Sequence, residues 1–456
     1  MPKEKDLEYH IELIEEFLTD PEHAHHSDSE VARSLKKIAK EDETVFNDFL
    51  QKIPNEHLGD IALELPEKYL KDFIEYLPKN DLVEVVEELD SDDATDLLQD
   101  IEDIDSDKAD EILAALDEED QEEIKKLRKY DEDSAGAIMQ TELFSANYEE
   151  VIQDSINRLK EDKKKGELNN VHQVFITGAF EKLIFAISLE DILTFDFKKT
   201  YQEVLLENEE HYKPRYARDD DKLEDLATLF KEHDLSVVPV VNHQGELIGR
   251  ITSDDIYDVM QESATEQIYN LAGVGDEAEE EENFFQAGRK RGSWLFLNLL
   301  TAIAASLVIQ MFDETIQSFV ALAILMPIVA SMGGNAGTQT LTVTVRRLAL
   351  SEIELENAKE TIKKEVMLSL ANGLIFAVIL GFISYFWFGE QLLGVIIAAS
   401  MVINLFAAGF FGAVIPLALK RFHVDPAVGS TVLLTTVTDV VGFFSFLGLA
   451  SWLLVK

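Results

Sequence analysis

Long runs of uncharged, mostly apolar residues fill the last third of the chain. Five runs follow one another, and only the last contains a charged side chain: residues 292–312, 315–345, 366–389, 391–419 and 426–455. A helix of about 20 apolar residues spans a bilayer. Five consecutive runs of this length argue against buried helices of a soluble domain. The pattern therefore predicts five transmembrane helices.

The first 130 residues have a different, repeating pattern. Short amphipathic runs are separated by an apolar residue followed by Pro or Asp, at intervals of 12, 12, 15 and 12 residues: Leu65-Pro66, Leu77-Pro78, Leu89-Asp90, Ile104-Asp105 and Leu116-Asp117. Pro and Asp are typical of the residue at which a helix starts. The repeat predicts a superhelix of short helices.

From Ala137 onward, short β-rich runs alternate with helical ones. Two pairs of runs each end in a Ser/Thr-x-x-Asp motif: Val174–Ile176 and Leu183–Ile187 before Ser188–Asp191, and Val237–Val241 and Leu247–Ile251 before Thr252–Asp255. Strands that alternate with helices are typical of small α/β units. The two segments resemble a tandem pair of CBS domains.

Thr252 and Asp255 are candidates for a nucleotide site. In CBS domains the closing Asp often binds an adenosine ribose, so this resemblance makes ATP or a related nucleotide a candidate ligand. A helix-capping role alone would also explain a Thr and an Asp at this spacing. Both interpretations stay open.

Charge divides the chain sharply. The 456 residues include 88 acidic and 40 basic side chains, for a net charge of −48. Residues 281–456 contain 12 acids and 11 bases, so residues 1–280 hold 76 acids and 29 bases, a net of −47. This division rules out a single soluble globule. It also argues against binding to nucleic acid, which requires a basic face.

Several kinds of chemistry are absent from the sequence. The chain has no cysteine and therefore no disulfide or thiolate site. Residues 1–20 lack the apolar core of a signal peptide. No Walker A loop, G-x-S-x-G elbow or H-E-x-x-H pair is present. We therefore predict that the protein is not an enzyme.

The loops between the apolar runs differ in charge. Asp313, Glu314 and Glu390 lie on one side of the predicted membrane, and the other side carries Arg289, Lys290, Arg291, Arg346, Arg347, Lys359, Lys363, Lys364, Lys420 and Arg421. Basic loops stay on the cytoplasmic side. We expect a multi-pass protein of the cell inner (plasma) membrane, with the N-terminus in the cytoplasm and the C-terminus outside.

Asp439 is the lone charged side chain of the last apolar run. A carboxylate near the bilayer centre costs at least about 2–3 kcal/mol and persists where it faces water, an ion or a partner. Thr435, Thr436 and Thr438 surround it with oxygen atoms, which suit Mg²⁺ or Ca²⁺. Two such carboxylates would neutralise a divalent ion, which suggests a two-fold dimer around the path. A structural role for Asp439 is the alternative.

The second apolar run contains Pro327 and then the string SMGGNAGTQT at 331–340. Proline and glycine are tolerated in a membrane helix where backbone is packed in protein or lines a cavity. Asn335 and Gln339 lie four residues apart and so place two amides on one face. This spacing favours a pore lining, although close helix packing alone would also call for small residues.

The strings PIVASMGGNAGTQ at 327–339 and TVTDVVG at 436–442 closely resemble the MgtE family of magnesium channels and transporters. The resemblance covers essentially the whole chain. It implies a homodimer with five membrane helices per chain, in which the second and fifth helices line the pore. It also implies that Asp439 is the central Mg²⁺ ligand, next to the Asn335 region.

The same resemblance implies regulation by cytosolic Mg²⁺, which binds carboxylates of the soluble domains and of a plug helix and holds the channel closed. Matched segment by segment, the regulatory Mg²⁺ ligands would be Asp254, Asp258, Glu262, Glu266 and Asp425, with Asp90 and Asp93 in the repeat domain. Most other acidic residues are expected to form an ordinary solvated surface.

These observations predict a multidomain membrane protein. An all-α helical-repeat N domain (1–135) would precede a first CBS domain (136–200), a second CBS domain (201–266), a connecting plug helix (267–291) and a five-helix transmembrane domain (292–456). We expect a homodimeric, Mg²⁺-selective channel in contact with membrane lipid and divalent cations. A carrier coupled to Na⁺ or H⁺ and a membrane-anchored CBS nucleotide sensor are the alternatives, and selectivity among Mg²⁺, Co²⁺, Mn²⁺ and Ca²⁺ stays open.

Overall fold

A computed structural model describes the chain except for residues 1, 22–24, 167, 169, 207–208, 274–283, 350–352, 354–357, 423 and 455–456. The chain forms two compact units, Met1–Gln261 and Glu262–Lys456. The first unit contains the helical repeats and two small sheets. The second contains the long apolar helices.

Short helices form the first half of unit 1, as the repeating pattern predicts. In order along the chain they are α1 (Pro2–Phe17), α2 (Asp28–Glu41), α3 (Glu43–Leu50), α4 (Asn55–Leu63), α5 (Glu67–Tyr76), α6 (Lys79–Glu87), α7 (Ser91–Ile104), α8 (Ser106–Leu113) and α9 (Glu118–Leu127).

The Pro and Asp residues of the repeat each lie immediately before a helix. Pro66 and Pro78 lie immediately before α5 and α6. Their ψ angles of 150° and 149° are not helical, so each proline stays outside the helix that follows it. Asp105 and Asp117 accept hydrogen bonds from the first free amides of α8 and α9. Each helix then turns one apolar face into a shared core around Phe46, built from side chains of α1 to α9.

Two modules of the same topology follow. The first contains β1 (Ser145–Asn147), α10 (Ile152–Lys165), β2 (Gln173–Thr177), β3 (Leu183–Ser188), α11 (Leu189–Ile192) and α12 (Tyr201–Leu205). The second contains β4 (Ala217–Arg218), α13 (Leu223–His233), β5 (Val237–Val241), β6 (Leu247–Thr252) and α14 (Ser253–Ala272).

The two sheets repeat each other in detail. In each, the first strand pairs parallel with the second, and the second pairs antiparallel with the third. The register also shifts at the same place, between Ile176 and Thr177 in one sheet and between Val240 and Val241 in the other. This internal repeat agrees with the predicted tandem of α/β units.

Among its described residues, unit 2 contains the end of α14, five long apolar helices and one short helix. The helices that follow α14 are α15 (Phe284–Gln310), α16 (Asp313–Ser318), α17 (Ala321–Ala349), α18 (Ala358–Phe388), α19 (Gln391–Arg421) and α20 (Ser430–Leu454). All but α16 contain a stretch long and apolar enough to cross a membrane, which confirms the five predicted crossings. α19 is central and packs against α17, α18 and α20.

Some helix ends differ from the ends of the uncharged runs. The second crossing begins at Ala321 and not at Thr315, because α16 forms a separate helix that ends at Ser318. The third begins at Ala358, eight residues before its uncharged run. At about 1.5 Å per residue, its 31 residues extend about 46 Å, well beyond the hydrocarbon core. Its charged first turns therefore belong to the same helix as its apolar part.

The predicted connecting segment, 267–291, is divided between two helices. Residues 267–272 continue α14, which ends at Gly273 with a φ of +68°. Residues 284–291 are the first turns of α15, continuous with the first membrane crossing. The Glu279–Glu282 cluster lies outside the described residues.

Candidate functional site

Asp439 lies in the middle of α20 and is partly exposed in the single chain. The hydroxyl groups around it donate to the backbone of their own helix. Thr435 Oγ1 lies 3.0 Å from the Thr431 carbonyl oxygen, and Thr436 Oγ1 lies 2.7 Å from that of Val432. Because each hydroxyl donates its hydrogen to a carbonyl oxygen of α20, its oxygen lone pairs are the part that remains for a further ligand.

Asn335 is exposed on α17, as a pore-lining side chain would be in a single chain. Its amide Nδ2 lies 3.4 Å from Ser331 Oγ, one turn earlier. Gln339, one turn later, is also exposed. The amides of Asn335 and Gln339 therefore lie on an unburied face of the helix.

Two contacts align α17 with α20. The side chain of Asn404, from α19, packs against both Gly333 and Gly442 and so sets these glycines at one level. Gly337 packs against Leu434. The two helices are therefore antiparallel, and Asn335 and Asp439 each lie between the two contact levels. The predicted pore residues thus lie in the same stretch of the helix pair, bounded by these two contacts.

Asn404 was not predicted from the sequence. It is fully buried in α19, and its Nδ2 donates to the Val329 carbonyl oxygen at 2.8 Å. Its Oδ1 is buried and has no hydrogen-bond partner among the described residues. A Cβ atom on Gly442 would lie 2.7 Å from this amide, and one on Gly333 would be closer still. Gly333 and Gly442 thus serve helix packing around Asn404.

A second group of carboxylates lies in unit 1, where α7 approaches the start of α14. We call Asp60, Asp90, Asp92, Asp93 and Asp255 the acidic cluster. Burial raises the pKa of Asp93 to about 7, and the charges of Asp255, Asp60 and Asp90 add to the rise. Burial also raises the pKa of Asp255 to about 6, against two hydrogen bonds from Thr252 that lower it.

Asp92 is the most deeply buried member of the acidic cluster, with 5% of its surface exposed. Burial, followed by the charges of Asp93 and Asp255, raises its pKa well above the usual value for Asp. Its Oδ1 has no hydrogen-bond partner among the described residues. Such a group is costly unless it is protonated or compensated by a cation. Asp92 follows the predicted Asp90 by two residues, but no sequence signal pointed to it or to Asp60.

The structure brings some of the predicted regulatory residues together. The charge of Asp254 raises the pKa of Asp90, and the charges of Asp254 and Asp258 raise that of Asp255. In unit 2, the Asn270 amide lies 3.3 Å from Glu266 Oε1 and 3.1 Å from Asp425 Oδ2. Asn270 is buried there, between carboxylates that were predicted as Mg²⁺ ligands. Glu262 is exposed on α14.

Among the described residues, the carboxylates predicted as Mg²⁺ ligands do not form a close group of three or more ligand atoms. The described residues hold such a group elsewhere: ligand atoms of Asp219, Asp220 and His243 all lie within 4.8 Å of one another. Arg218 lies in the same place, with its Nε 3.2 Å from Asp220 Oδ1. The carboxylates of the acidic cluster are therefore close enough to raise one another's pKa values, but they do not form a complete coordination shell.

Thr252 and Asp255 form the helix cap that the sequence allowed as one interpretation. Asp255 Oδ2 accepts hydrogen bonds from the Thr252 backbone N–H at 2.9 Å and from its hydroxyl at 2.8 Å. Ser188 and Asp191 repeat the motif in the first module, with Ser188 Oγ 2.8 Å from Asp191 Oδ2. One carboxylate oxygen of each Asp is thus engaged within its own turn.

Known families match three parts of the chain. Residues 326–449 match the MgtE family, described as a divalent cation transporter, residues 27–133 match the MgtE intracellular N domain, and residues 211–262 match the CBS domain. The magnesium transporter MgtE of Thermus thermophilus is 30% identical over 334 residues, which cover 73% of this chain and 72% of the relative. This chain belongs to the MgtE family of magnesium transporters.

The chain is also similar to further proteins. The magnesium transporter MgtE of Bacillus subtilis is 28% identical over 330 residues, 72% of this chain and 71% of the relative. A crystal structure of the cytosolic domain of the Mg²⁺ channel MgtE in complex with ATP is 23% identical, with a TM-score of 0.47, and covers 52% of this chain and 91% of that one. The soluble part of a magnesium transporter gives the same identity and TM-score over 57% of this chain and 99% of that one.

The family membership confirms the predicted fold class of N domain, CBS pair and five apolar helices. MgtE proteins are transporters and not enzymes, as predicted. The CBS match covers the second module, and the first module is recognised by its repeated sheet topology. The domain boundaries given above stay predictions.

Proposed function

We propose that this MgtE protein is a homodimeric, Mg²⁺-selective channel of the inner membrane, with its N-terminus in the cytoplasm and its C-terminus outside. The observation that carries the proposal is Asp439, a lone carboxylate in a membrane helix that packs against α17, where the amide of Asn335 is exposed. In the dimer, the two Asp439 side chains face each other across the path and balance the charge of one Mg²⁺.

The ion crosses with most of its water. Mg²⁺ dehydrates reluctantly, and two carboxylates with amide and hydroxyl oxygens hold the hydrated ion without stripping it. An inside-negative potential drives entry with about 2.3 kcal/mol per charge per 100 mV, or about 4.6 kcal/mol for Mg²⁺. Voltage alone therefore suffices, which favours the channel over a carrier coupled to Na⁺ or H⁺.

We propose that the acidic cluster, with Asp254, Asp258, Glu262, Glu266 and Asp425, senses cytosolic Mg²⁺. Burial and, after it, the charges of neighbouring carboxylates raise the pKa values of Asp93 and Asp255, and a bound divalent cation offsets both effects. Mg²⁺ then favours the compact arrangement of α7 against α14, and that arrangement holds the channel closed. A ligand shifts such an equilibrium only by its differential affinity for the two states, and a set of shared carboxylates supplies that difference.

ATP is proposed as a further ligand of the CBS modules, with Thr252 and Asp255 as the residues that face it. The second Asp255 oxygen is outside the cap hydrogen bonds and is available to a ribose hydroxyl. Calorimetric titration of ATP into the protein and into the Asp255→Ala variant tests this directly, and equal binding by the two would remove the site.

The decisive experiment is Mg²⁺ uptake into proteoliposomes under an imposed inside-negative voltage, with no other ion gradient and with Mg²⁺ kept low inside. Asp439→Asn is expected to lower uptake by about 100-fold, because an intramembrane charge is worth about 3 kcal/mol. Asp313→Asn, which removes an exposed acid outside the apolar helices, is the matched control and is expected to keep normal uptake.

Other results would favour the alternatives. Uptake that appears only with a Na⁺ or H⁺ gradient identifies a coupled carrier. Absence of uptake under every gradient, together with tight ATP binding, identifies a membrane-anchored sensor. Uptake that survives Asp439→Asn unchanged would remove Asp439 from the path.

A further inference from the structure

A cavity of about 540 Å³ opens between α17 and α18, with Leu405 of α19 in its wall. Its apolar lining residues are Ala336, Val343, Leu368 and Leu405, and its polar ones are Thr338, Gln339, Thr340, Thr342, Glu365, Ser369 and Asn372. No Lys or Arg lines it among the described residues. Apolar atoms make up most of the wall of this half-open cavity, and Glu365 is the one negative side chain among its described lining residues.

Glu365 is buried in the wall of this cavity, with 6% of its surface exposed. Its Oε2 accepts a hydrogen bond from Thr340 Oγ1 at 3.4 Å. That distance is long, because hydroxyl groups bond to carboxylates at about 2.5–2.7 Å. A buried carboxylate with one long hydrogen bond is poorly compensated, and buried charges in proteins are paired or coordinate metal ions.

The polar side chains near Glu365 suit a hard cation. The amides of Gln339 and Asn372 and the hydroxyl of Ser369 offer neutral oxygen ligands around the same space. Such oxygens are the ligands of Mg²⁺ and Mn²⁺. Because one water occupies about 30 Å³ of liquid, the cavity has room for an ion together with its water shell.

The cavity is separate from the site at Asp439. Its described lining comes from α17, α18 and α19, with nothing from α20, which carries Asp439. It adjoins an exposed polar face of α17 formed by Asn335, Thr338, Gln339 and Thr342, which recur at helical spacing. Glu365 lies in the first turns of α18, at the end next to Lys363 and Lys364.

We propose that this cavity is a second membrane-domain site for a hydrated divalent cation, with Glu365 as its charged ligand and Gln339, Ser369 and Asn372 as neutral ligands. The site stands beside the proposed path and does not depend on it. One carboxylate and a retained water shell make it a weak site, suited to an ion that exchanges rapidly.

A local probe is required, because Mn²⁺ also binds the acidic surface of the soluble part. The chain has no cysteine, so Leu368→Cys gives one labelling position in the cavity wall, where the Leu368 side chain is 55% exposed. A nitroxide attached there to the full chain in lipid nanodiscs is broadened by Mn²⁺ bound nearby. We expect saturable broadening that Mg²⁺ reverses and K⁺ at equal ionic strength does not.

Glu365→Gln is expected to shift the Mn²⁺ concentration for half-maximal broadening upward about ten-fold or more, since loss of even an outer partner of a metal ligand costs 10–100-fold. Glu360→Gln is the matched control, because it removes an exposed acid from the same helix outside the cavity. Asn372→Leu is a second test that keeps the charge, and it is expected to weaken binding less than Glu365→Gln.

Equal titrations of Glu365→Gln and Glu360→Gln would overturn the proposal, as would broadening that Mg²⁺ fails to reverse. The label also reports in an Asp439→Asn background, where the broadening is expected to persist. Loss of broadening in that background would merge the two sites into one. Failure of Mg²⁺ uptake in proteoliposomes, with broadening intact, would instead count against the channel and leave this site in place.

Discussion

The two acidic regions of the protein differ in how a carboxylate is surrounded. Asp439 is the lone charged side chain of α20, whereas Asp92, Asp93 and Asp255 crowd together where α7 approaches α14. A solitary carboxylate in a membrane gains from any cation that reaches it. Crowded carboxylates hold protons instead, and a cation must compete with those protons. The first arrangement suits passage of an ion, and the second suits a response to ion concentration.

The largest effect is expected from filling the space around Asn404 in the membrane unit. Gly333→Ala places a methyl group against the buried Asn404 amide, where overpacking costs about 1–3 kcal/mol. Because Asn404 contacts both α17 and α20, Mg²⁺ uptake is expected to fall together with thermal stability. Fluorescence-detected thermal unfolding and proteoliposome uptake measure the two effects.

Gly334→Ala is the matched control for this substitution. A Cβ atom on Gly334 meets no heavy atom within 4 Å, although Gly334 is the next residue in the same helix. It is expected to keep near-normal uptake and stability. Equal losses in the two variants would show that the glycines act through backbone flexibility and not through the space that they leave for Asn404.

The next largest effect concerns pH and the acidic cluster. A folded-state pKa of about 7 for Asp93 lies above its ordinary value of 3.8, so the folded state binds the proton more tightly than the unfolded state does. Without Mg²⁺, the stability contributed by this group is present below about pH 4 and is lost as the pH rises towards 7. Asp255, at about 6, acts in the same direction.

Protection of unit 1 from protease is therefore expected to decrease from pH 5 to pH 8 without Mg²⁺. Millimolar Mg²⁺ is expected to restore it at pH 8, where the carboxylates are ionised, and to add little at pH 5. Asp93→Asn should flatten the pH dependence without Mg²⁺. Exposed Asp103 is a suitable control position on the same helix, and a pH dependence as steep in Asp93→Asn as in Asp103→Asn would contradict the role of Asp93.

How much the sequence revealed differs between the two regions for a physical reason. A lone charge in 25 helical residues is conspicuous in the sequence, and five long apolar runs are recognised by their length alone. The Pro and Asp residues at helix starts are equally local, and the structure confirms their positions. Such features depend on neighbours along the chain, so a sequence displays them directly.

Features that depend on distant residues were missed. Asp60 and Asp92 were indistinguishable from other acids in a chain of net charge −48, because only the fold determines which carboxylates meet. Asn404 was hidden among 29 uncharged residues for the same reason. The glycines around Asn335 were predicted to line a pore or to allow close helix packing, and the side chain that packs against Gly333 comes from α19.

The smallest effect is expected where an amide already occupies two predicted Mg²⁺ ligands. Asn270 Nδ2 lies within 3.3 Å of Glu266 and 3.1 Å of Asp425, so a cation at these carboxylates must displace its hydrogen bonds. Asn270→Leu removes the competing donor without adding charge. We expect internal Mg²⁺ to inhibit uptake at a concentration about two-fold lower, which corresponds to about 0.5 kcal/mol, the low end for the loss of one hydrogen bond. Thr431→Val, which removes the nearby hydroxyl bond to the Leu271 carbonyl oxygen and leaves the carboxylates untouched, is the control. A shift to higher Mg²⁺ in Asn270→Leu would instead show that the amide oxygen is itself a ligand. The site would then combine an amide with carboxylates, as proposed for Asn335 and Asp439, and would differ from the acidic cluster, which consists of carboxylates.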